Sequence, residues 1–346
     1  MKSKNSTNSK SSLTYIIAEA GVNHNGSVKI ALELIKKAKE IGADCIKFQT
    51  FKTEEVVTLS APKANYQLKV TDERESQFQM LKKLELSQDS FKLLKNECDK
   101  IGIDFMSTPY SVRDLELLDG IGVNSFKIAS GQLTEHYFLK KIAKKNKPII
   151  LSTGMGTLEE VSKAVKIIKK INKNITVLHC TTNYPSVIDD SNINAMLTIK
   201  EFCNVRVGYS DHVTENYACY AAVSLGAEVI EKHFTLDKNM DGPDHSCSLN
   251  PDEFKILIHG IRSIEKSLGS GVKQPTPLEK KNIYGMRRGI VASKEIMKGD
   301  IFSVDNLGVK RPMEGLLPFN IENIFGKIAA NDIGKDKPVF KENIEW

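Results

Sequence analysis

Short runs rich in β-branched and apolar residues alternate, eight times over, with stretches carrying apolar residues at three- and four-residue spacing. The strand-like runs are "TYIIAEAG", "DCIKFQT", "DFMSTP", "SFKIAS", "PIILSTG", "ITVLHCTT", "VRVGYSDH" and "EVIEKHFT". Between them lie helical patterns such as "VKIALELIKKAKEIG", "VRDLELLDGIG", "HYFLKKIAKKNK" and "LEEVSKAVKIIKKI", several closing on the glycine that ends a helix before the next strand. Strand–helix alternation demands a parallel sheet, because each helix carries the chain back to the end of the sheet from which the previous strand started. Eight units over roughly 250 residues suit a (β/α)8 TIM barrel. The alternative is an open doubly wound sheet, but its glycine fingerprint GxGxxG is absent.

After "GIRSIEKSLGSG" the pattern changes. Residues 14–270 are expected to form the barrel, 271–284 ("VKQPTPLEKKN") a polar linker, and 285–346 a small domain of short strands and turns. Residues 1–13 are polar without an apolar centre, which reads as a disordered leader and not as a signal peptide. No apolar run is long enough for a bilayer. The six cysteines, none at CxxC spacing, mostly have apolar neighbours and suit free thiols of a reducing, cytoplasmic compartment. A net charge of +6 from 49 basic and 43 acidic residues is mild. The lysines are scattered over helix-like stretches and form no stripe for nucleic acid. Neither a nucleic-acid nor a membrane partner is expected.

In a barrel the carboxyl ends of the strands share one face, and the chemistry belongs there. Those ends supply Glu19, Lys47 with Gln49, Ser107 with Thr108, Lys127 with Ser130, Ser152 with Thr153, His179, Asn183 with Tyr184, Ser210 with His212, and His233. Two lysines inside strands are costly unless an anion compensates them. One could pair with Glu19 or Glu231; together, amid hydroxyls, they resemble a cradle for phosphate or carboxylate. His212 and His233 end consecutive strands and can reach one point above the barrel. Neutral imidazoles there, with oxygen donors, suit a divalent metal such as manganese, iron or zinc with open positions for water and substrate.

The motifs "IAEAGVNHNGS", "IKFQTF", "FMSTPYS", "KIASG", "ILSTGM", "LHCTTNYP", "GYSDH", "IEKHFTLD", "GPDH" and "VKRP" follow in order from about residue 14 to the C-terminus. As a set the chain resembles the sialic acid synthase family. That resemblance implies a metal-dependent TIM barrel followed by an antifreeze-like (SAF) domain, in a domain-swapped homodimer where each small domain caps the partner's barrel. The implied reaction condenses phosphoenolpyruvate with an N-acetylated amino sugar. The sugar is N-acetylmannosamine or a 2,4-diacetamido-6-deoxy relative, and the product is a nine-carbon 2-keto-3-deoxy sugar acid.

By the same resemblance, His212 and His233 bind the metal, Mn2+ with Mg2+ or Co2+ as substitutes. Lys47, Thr108, Lys127, Ser130, Ser152, Asn183 and Ser210 hold phosphoenolpyruvate. Gln49, Tyr184 and Asp244 touch the open-chain sugar, Glu19 moves a proton or orders water, and Arg311 reaches the partner's site. Many relatives have glutamate where this chain has Gln132, which marks either a different sugar or a supporting position. The segment 61–87 resembles the neuraminic and legionaminic branches more than the pseudaminic one. Two other readings of the residues stand beside this one: a Schiff-base aldolase using Lys127 or Lys47, and a sugar-binding barrel without catalysis.

Overall fold

The structure, a computed structural model, describes residues 13–68, 71–72 and 74–346. The expected leader therefore lies, but for Leu13, outside the described residues. The chain divides into two compact units, Met1–Gly269 and Ser270–Trp346.

In the first unit eight parallel strands appear where the sequence pattern put them: β1 Tyr15–Gly21, β2 Cys45–Thr50, β3 Asp104–Pro109, β4 Phe126–Ile128, β5 Ile149–Ser152, β6 Ile175–Cys180, β7 Arg206–Asp211 and β8 Val229–His233. Ladders join them in the order β3-β2-β1-β8-β7-β6-β5-β4, and β3 and β4 lie side by side to bring the two ends together. Among the described residues a main helix follows each strand: α1 Val28–Glu40, α2 Gln88–Ile101, α3 Val112–Gly120, α4 His136–Ala143, α5 Leu158–Lys169, α6 Asn194–Cys203, α7 Tyr217–Ser224 and α8 Pro251–Leu268, with three single- or two-turn helices between β2 and α2. Their starts are written in side chains that accept orphan backbone N–H groups: Ser27, Ser87, Ser111, Thr157 and Asn250 cap α1, α2, α3, α5 and α8. The fold class is thus a TIM-like barrel, as the alternation requires.

Side chains alternate across each strand, so the wall has two personalities. Outward residues such as Ile16, Ala18, Ile46, Phe48 and Ile128 pack under the helices in one large core. Inward residues form layers. Ile17, Cys45, Met106, Ile150, Leu178 and Val229 make an apolar plug in the barrel. One layer nearer the carboxyl ends stand Glu19, Lys47, Thr108, Lys127, Ser152, Ser210 and Glu231, all buried. The plug excludes water from below, so these charged groups face only the mouth.

Gly208 permits the wall to close beside that layer. A Cβ there would lie 2.3 Å from the Val229 carbonyl oxygen, so any other residue would push β7 away from β8.

The second unit has its own small core, including Ile290, Ile296, Phe302, Ile324 and Ile344. Strands β9 Gly289–Ala292 and β10 Leu307–Lys310 pair antiparallel, as do β11 Ile328–Ala329 and β12 Ile344–Glu345. The stretch read as a linker is not all irregular. Helix α9, Pro277–Met286, begins inside it, with Thr276 and Glu279 forming a capping box and Pro277 in the first turn. Polar composition hid that helix, because α9 buries none of its residues.

Candidate active site

A cavity of about 360 Å3 opens at the carboxyl ends of the strands, and Glu19, Lys47, Gln49, Thr108, Lys127, Ser130, Ser152, Tyr184, Ser210, His212 and His233 line it. Ladder register explains the convergence. Glu19 on β1 sits opposite Lys47 on β2 and His233 on β8.

Charge is balanced within the cavity by two acid–base couples. Lys47 Nζ lies 2.7 Å from Glu19 Oε2 and 3.7 Å from Glu231 Oε2. Lys127 Nζ lies 3.5 Å from Glu231 Oε1 and donates to Ser152 Oγ at 2.6 Å. Thr108 Oγ1 accepts from Lys47 at 3.3 Å, and Ser210 donates to Glu231 Oε1 at 3.0 Å. Burial pushes the Glu19 carboxyl up to about 7; Lys47 opposes that shift and Glu231 reinforces it. Burial also pushes Glu231 up, but Lys127 and Lys47 outweigh it and hold this carboxyl below the usual range. Lys127 is pushed down by burial against the pull of Glu231. The two carboxyls in one site are thereby pushed apart, Glu19 upward and Glu231 downward.

The imidazoles of His212 and His233 are 5.4 Å apart, centre to centre, with Tyr184 packed against both. His212 Nδ1 is 2.7 Å from the Thr181 carbonyl oxygen. Burial pushes His212 down, but Cys180 and the Thr181 carbonyl outweigh it and raise the ring above the usual histidine range. The Nε2 lone pair is therefore free only once the ring has lost its second proton and donates to Thr181 as the N–H tautomer. His233 Nδ1 is buried without a hydrogen-bond partner, and Asp244 Oδ2 is 3.9 Å away. Burial, then His212 and the lysines, hold His233 well below the usual histidine range, so it stays neutral. Among the described residues no group of three His, Cys, Asp or Glu side chains is placed to hold a metal ion. A cation is compatible with the two imidazoles once it displaces the His212 proton, if water or substrate oxygens complete its shell.

Alternation turns three strand-end residues away from this cavity. Ser107 shares a hydrogen with Thr50 at 2.7 Å, Thr153 donates to the Leu178 carbonyl at 2.9 Å, and His179 bonds the Ser191 carbonyl at 2.8 Å. The structure also keeps Asn183 out of the cavity wall. Its side chain is exposed and its amide donates to the Pro185 carbonyl at 3.0 Å. Asp244 lines an adjoining cavity of about 220 Å3 that shares Gln49, Tyr66, Tyr110, Tyr184 and His233 with the first. Arg311 is exposed on the second unit, just beyond β10.

Gln132 lines the cavity, and its amide is braced on the backbone. Its Nε2 donates to the Pro109 carbonyl at 3.1 Å, and its Oε1 accepts from Ala129 N–H at 3.2 Å. Both ends of the amide are committed to tying β3 to the turn after β4.

Glu231, singled out in the sequence only as an ion-pair partner, lines the site between both lysines. Period two along β8 already implied it, since it stands two residues before His233 and shares its face. Tyr66 left no such signal: it comes from the excursion between β2 and α2 and reaches Tyr184 at 4.8 Å, centre to centre.

A model of the NeuB family matches residues 34–273, and one of the SAF domain matches residues 287–345. The chain belongs to the NeuB family. Two curated relatives are named N,N'-diacetyllegionaminic acid synthase. That of Campylobacter jejuni is 48% identical over 94% of this chain and 98% of its own length. The Legionella pneumophila protein is 42% identical, over 97% and 96%. A crystal structure of N-acetylneuraminic acid (sialic acid) synthetase from Leptospira borgpetersenii is 34% identical and covers 79% of this chain and 91% of that one, with a TM-score of 0.70. The NeuB barrel and the SAF unit thus account for most of the polypeptide.

Proposed function

We propose that this NeuB-family protein condenses phosphoenolpyruvate with an N-acetylated amino sugar to form a nonulosonic acid and phosphate. The observation that carries this reading is the mouth of the barrel itself, where two buried ammonium groups and a ring of hydroxyls stand beside the imidazoles of His212 and His233.

Lys47 and Lys127, with Thr108, Ser130, Ser152 and Ser210, supply the positive charge and donors that a phosphate and a carboxylate require. Gly154 N–H already fixes the Ser130 hydroxyl at 3.0 Å. Held there, C3 of phosphoenolpyruvate faces the aldehyde of the open-chain sugar and forms the new carbon–carbon bond. The aldehyde oxygen takes a proton to become a hydroxyl. C2, left cationic, takes water, and the resulting intermediate loses phosphate by C–O cleavage to leave the 2-keto acid. Glu19, titrating near neutrality beside Gln49, is placed to accept the proton from that water. His212 and His233 would hold a divalent cation, Mn2+ in our reading, which would supply electrophilic polarisation of the aldehyde.

The sugar is best taken as a 2,4-diacetamido-6-deoxy hexose. Supporting this are the 48% and 42% identities to legionaminic acid synthases. The adjoining cavity offers an apolar stretch of Val22, Phe51, Val56, Met80 and Leu81 for a methyl end, beside polar groups such as Gln67, Gln77 and Asp244 for an acetamido group. Incubation with phosphoenolpyruvate, Mn2+ and either sugar tests the assignment. The diacetamido sugar is expected to exceed N-acetylmannosamine in kcat/KM by about tenfold or more, since the two differ at C4 and at C6 and each mismatched group costs transition-state binding. The reverse order would assign the neuraminic branch. Phosphate release from neither sugar, with borohydride trapping of pyruvate on Lys127, would favour the aldolase reading.

The active species is proposed to be a cytoplasmic homodimer in which Arg311 completes the partner's site. Free thiols at all six cysteines fit a reducing compartment, and among the described residues no helix is long and apolar enough to cross a membrane. Mixing inactive Glu19→Ala and Arg311→Ala subunits should then restore up to half the sites of each mixed dimer. A mixture that stays inactive after proven subunit exchange would rule the shared site out.

A further inference from the structure

A second charge pair lies directly behind the two histidines, on the outer side of the wall, where the proposed chemistry does not reach. Asp211 and Lys232 immediately precede His212 and His233, and the β7–β8 ladder sets them opposite one another. Lys232 uses all three of its protons: to Asp211 Oδ2 at 2.5 Å, to the Val213 carbonyl at 2.6 Å and to the Glu215 carbonyl at 2.7 Å. Asp211 is equally engaged. Its Oδ1 accepts from Tyr209 OH at 3.1 Å and from Val213 N–H at 3.0 Å, and its Oδ2 also accepts from the Cys219 thiol at 3.2 Å. Both residues are 1% exposed.

Stability alone is a poor reason for such a pair, since apolar residues of similar volume usually serve as well or better in a buried position. What it does that apolar residues cannot is grip backbone. Two of the three ammonium bonds, and one of the carboxylate's, end on the loop that leaves β7. That loop begins with His212, whose own carbonyl accepts from Ser186 N–H at 2.8 Å and whose ring is held by Thr181.

We infer that Asp211 and Lys232 are positioning residues that lock the 212–216 loop, and with it the His212 ring relative to His233, before any cation arrives. This rests on the reading of those two histidines as the metal pair. Locking in advance removes the cost of ordering the ligands on binding.

The test is Mn2+ binding to metal-free protein, followed by the electron paramagnetic resonance of free Mn2+, beside circular dichroism. The Asp211→Asn, Lys232→Met double variant removes both charges at once. Its dichroism and its metal-free affinity for phosphoenolpyruvate are expected to stay close to wild type, while the Mn2+ Kd rises about 10- to 100-fold, as for lost supports of metal ligands. Wild-type Mn2+ affinity in the folded double variant would overturn the inference. Hydrogen exchange on the unaltered protein decides the matter even if that variant does not fold. The Val213 amide, which donates to Asp211 Oδ1, should be protected without Mn2+ as fully as with it, and protection gained only on Mn2+ addition would mean that the cation orders the loop. As a control, His212→Gln with His233→Gln should abolish Mn2+ binding. Retained binding there would instead remove the metal assignment on which the inference stands.

Discussion

Turnover by a His212→Gln, His233→Gln variant is expected to fall by about 10^3-fold or more, and added Mn2+ should not restore it. Polarisation of a carbonyl by a bound cation contributes several kcal/mol of transition-state stabilisation, and each 1.36 kcal/mol is about tenfold in rate. Glutamine is preferred to alanine because both rings are buried and packed on Tyr184, so truncation would also open a cavity. Chelation of the wild-type protein should reproduce the loss, and Mn2+ should reverse it. The measurement is phosphate release under saturating phosphoenolpyruvate. Near-normal release by the double variant would exclude a metal role for these histidines.

For Glu19→Gln, turnover is expected to drop by about 10^2- to 10^4-fold, the usual range for losing a positioned proton-transfer group. Its pH dependence should change as well. The folded carboxyl titrates at about 7, raised chiefly by burial. Acting as a base, Glu19 must be ionised, so wild-type kcat should be level above pH 7 and decline as pH falls through that value. The glutamine variant has no proton to gain or lose there and should show a flat residual rate. Lys47 and Lys127 stay in place in this variant, so phosphoenolpyruvate affinity should change far less than kcat. A variant that kept the limb near pH 7 would assign the proton transfer to another group, with Asp244, raised by burial to about 6, next in line.

The barrel was legible because its cause is local. A strand that buries both faces needs apolar residues, a helix against it needs a stripe, and eight repetitions of the two leave few architectures. The site was legible to the same depth: the side chains at the strand ends are found at one mouth. Alternation then sorts them, and Ser107, Thr153 and His179 fall on the outer face beside candidates on the inner one. A register of two could have separated these groups in advance and would have ranked Glu231 with Lys47 and Lys127. Helix α9 shows the opposite limit. Its capping box is visible in "TPLEKKN", but with no buried face its composition resembles a linker.

By itself the sequence determined the repeating βα units, the residues available at the barrel mouth and the separate small unit, because each follows from periodicity or from residue chemistry within a few positions. Only the tertiary structure decided which lysine meets which carboxylate, that Gln132 spends both ends of its amide on the backbone, and that Asp211 and Lys232 form a buried pair behind the histidines. Those outcomes depend on ladder register and on the distance between strands far apart in the chain. A one-residue slip would exchange the inner and outer faces of a strand. Electrostatics adds the second reason: Glu19 and Glu231 are chemically alike in the sequence, and only their unequal burial and distances to Lys47 and Lys127 make one hold a proton near neutrality and the other remain charged.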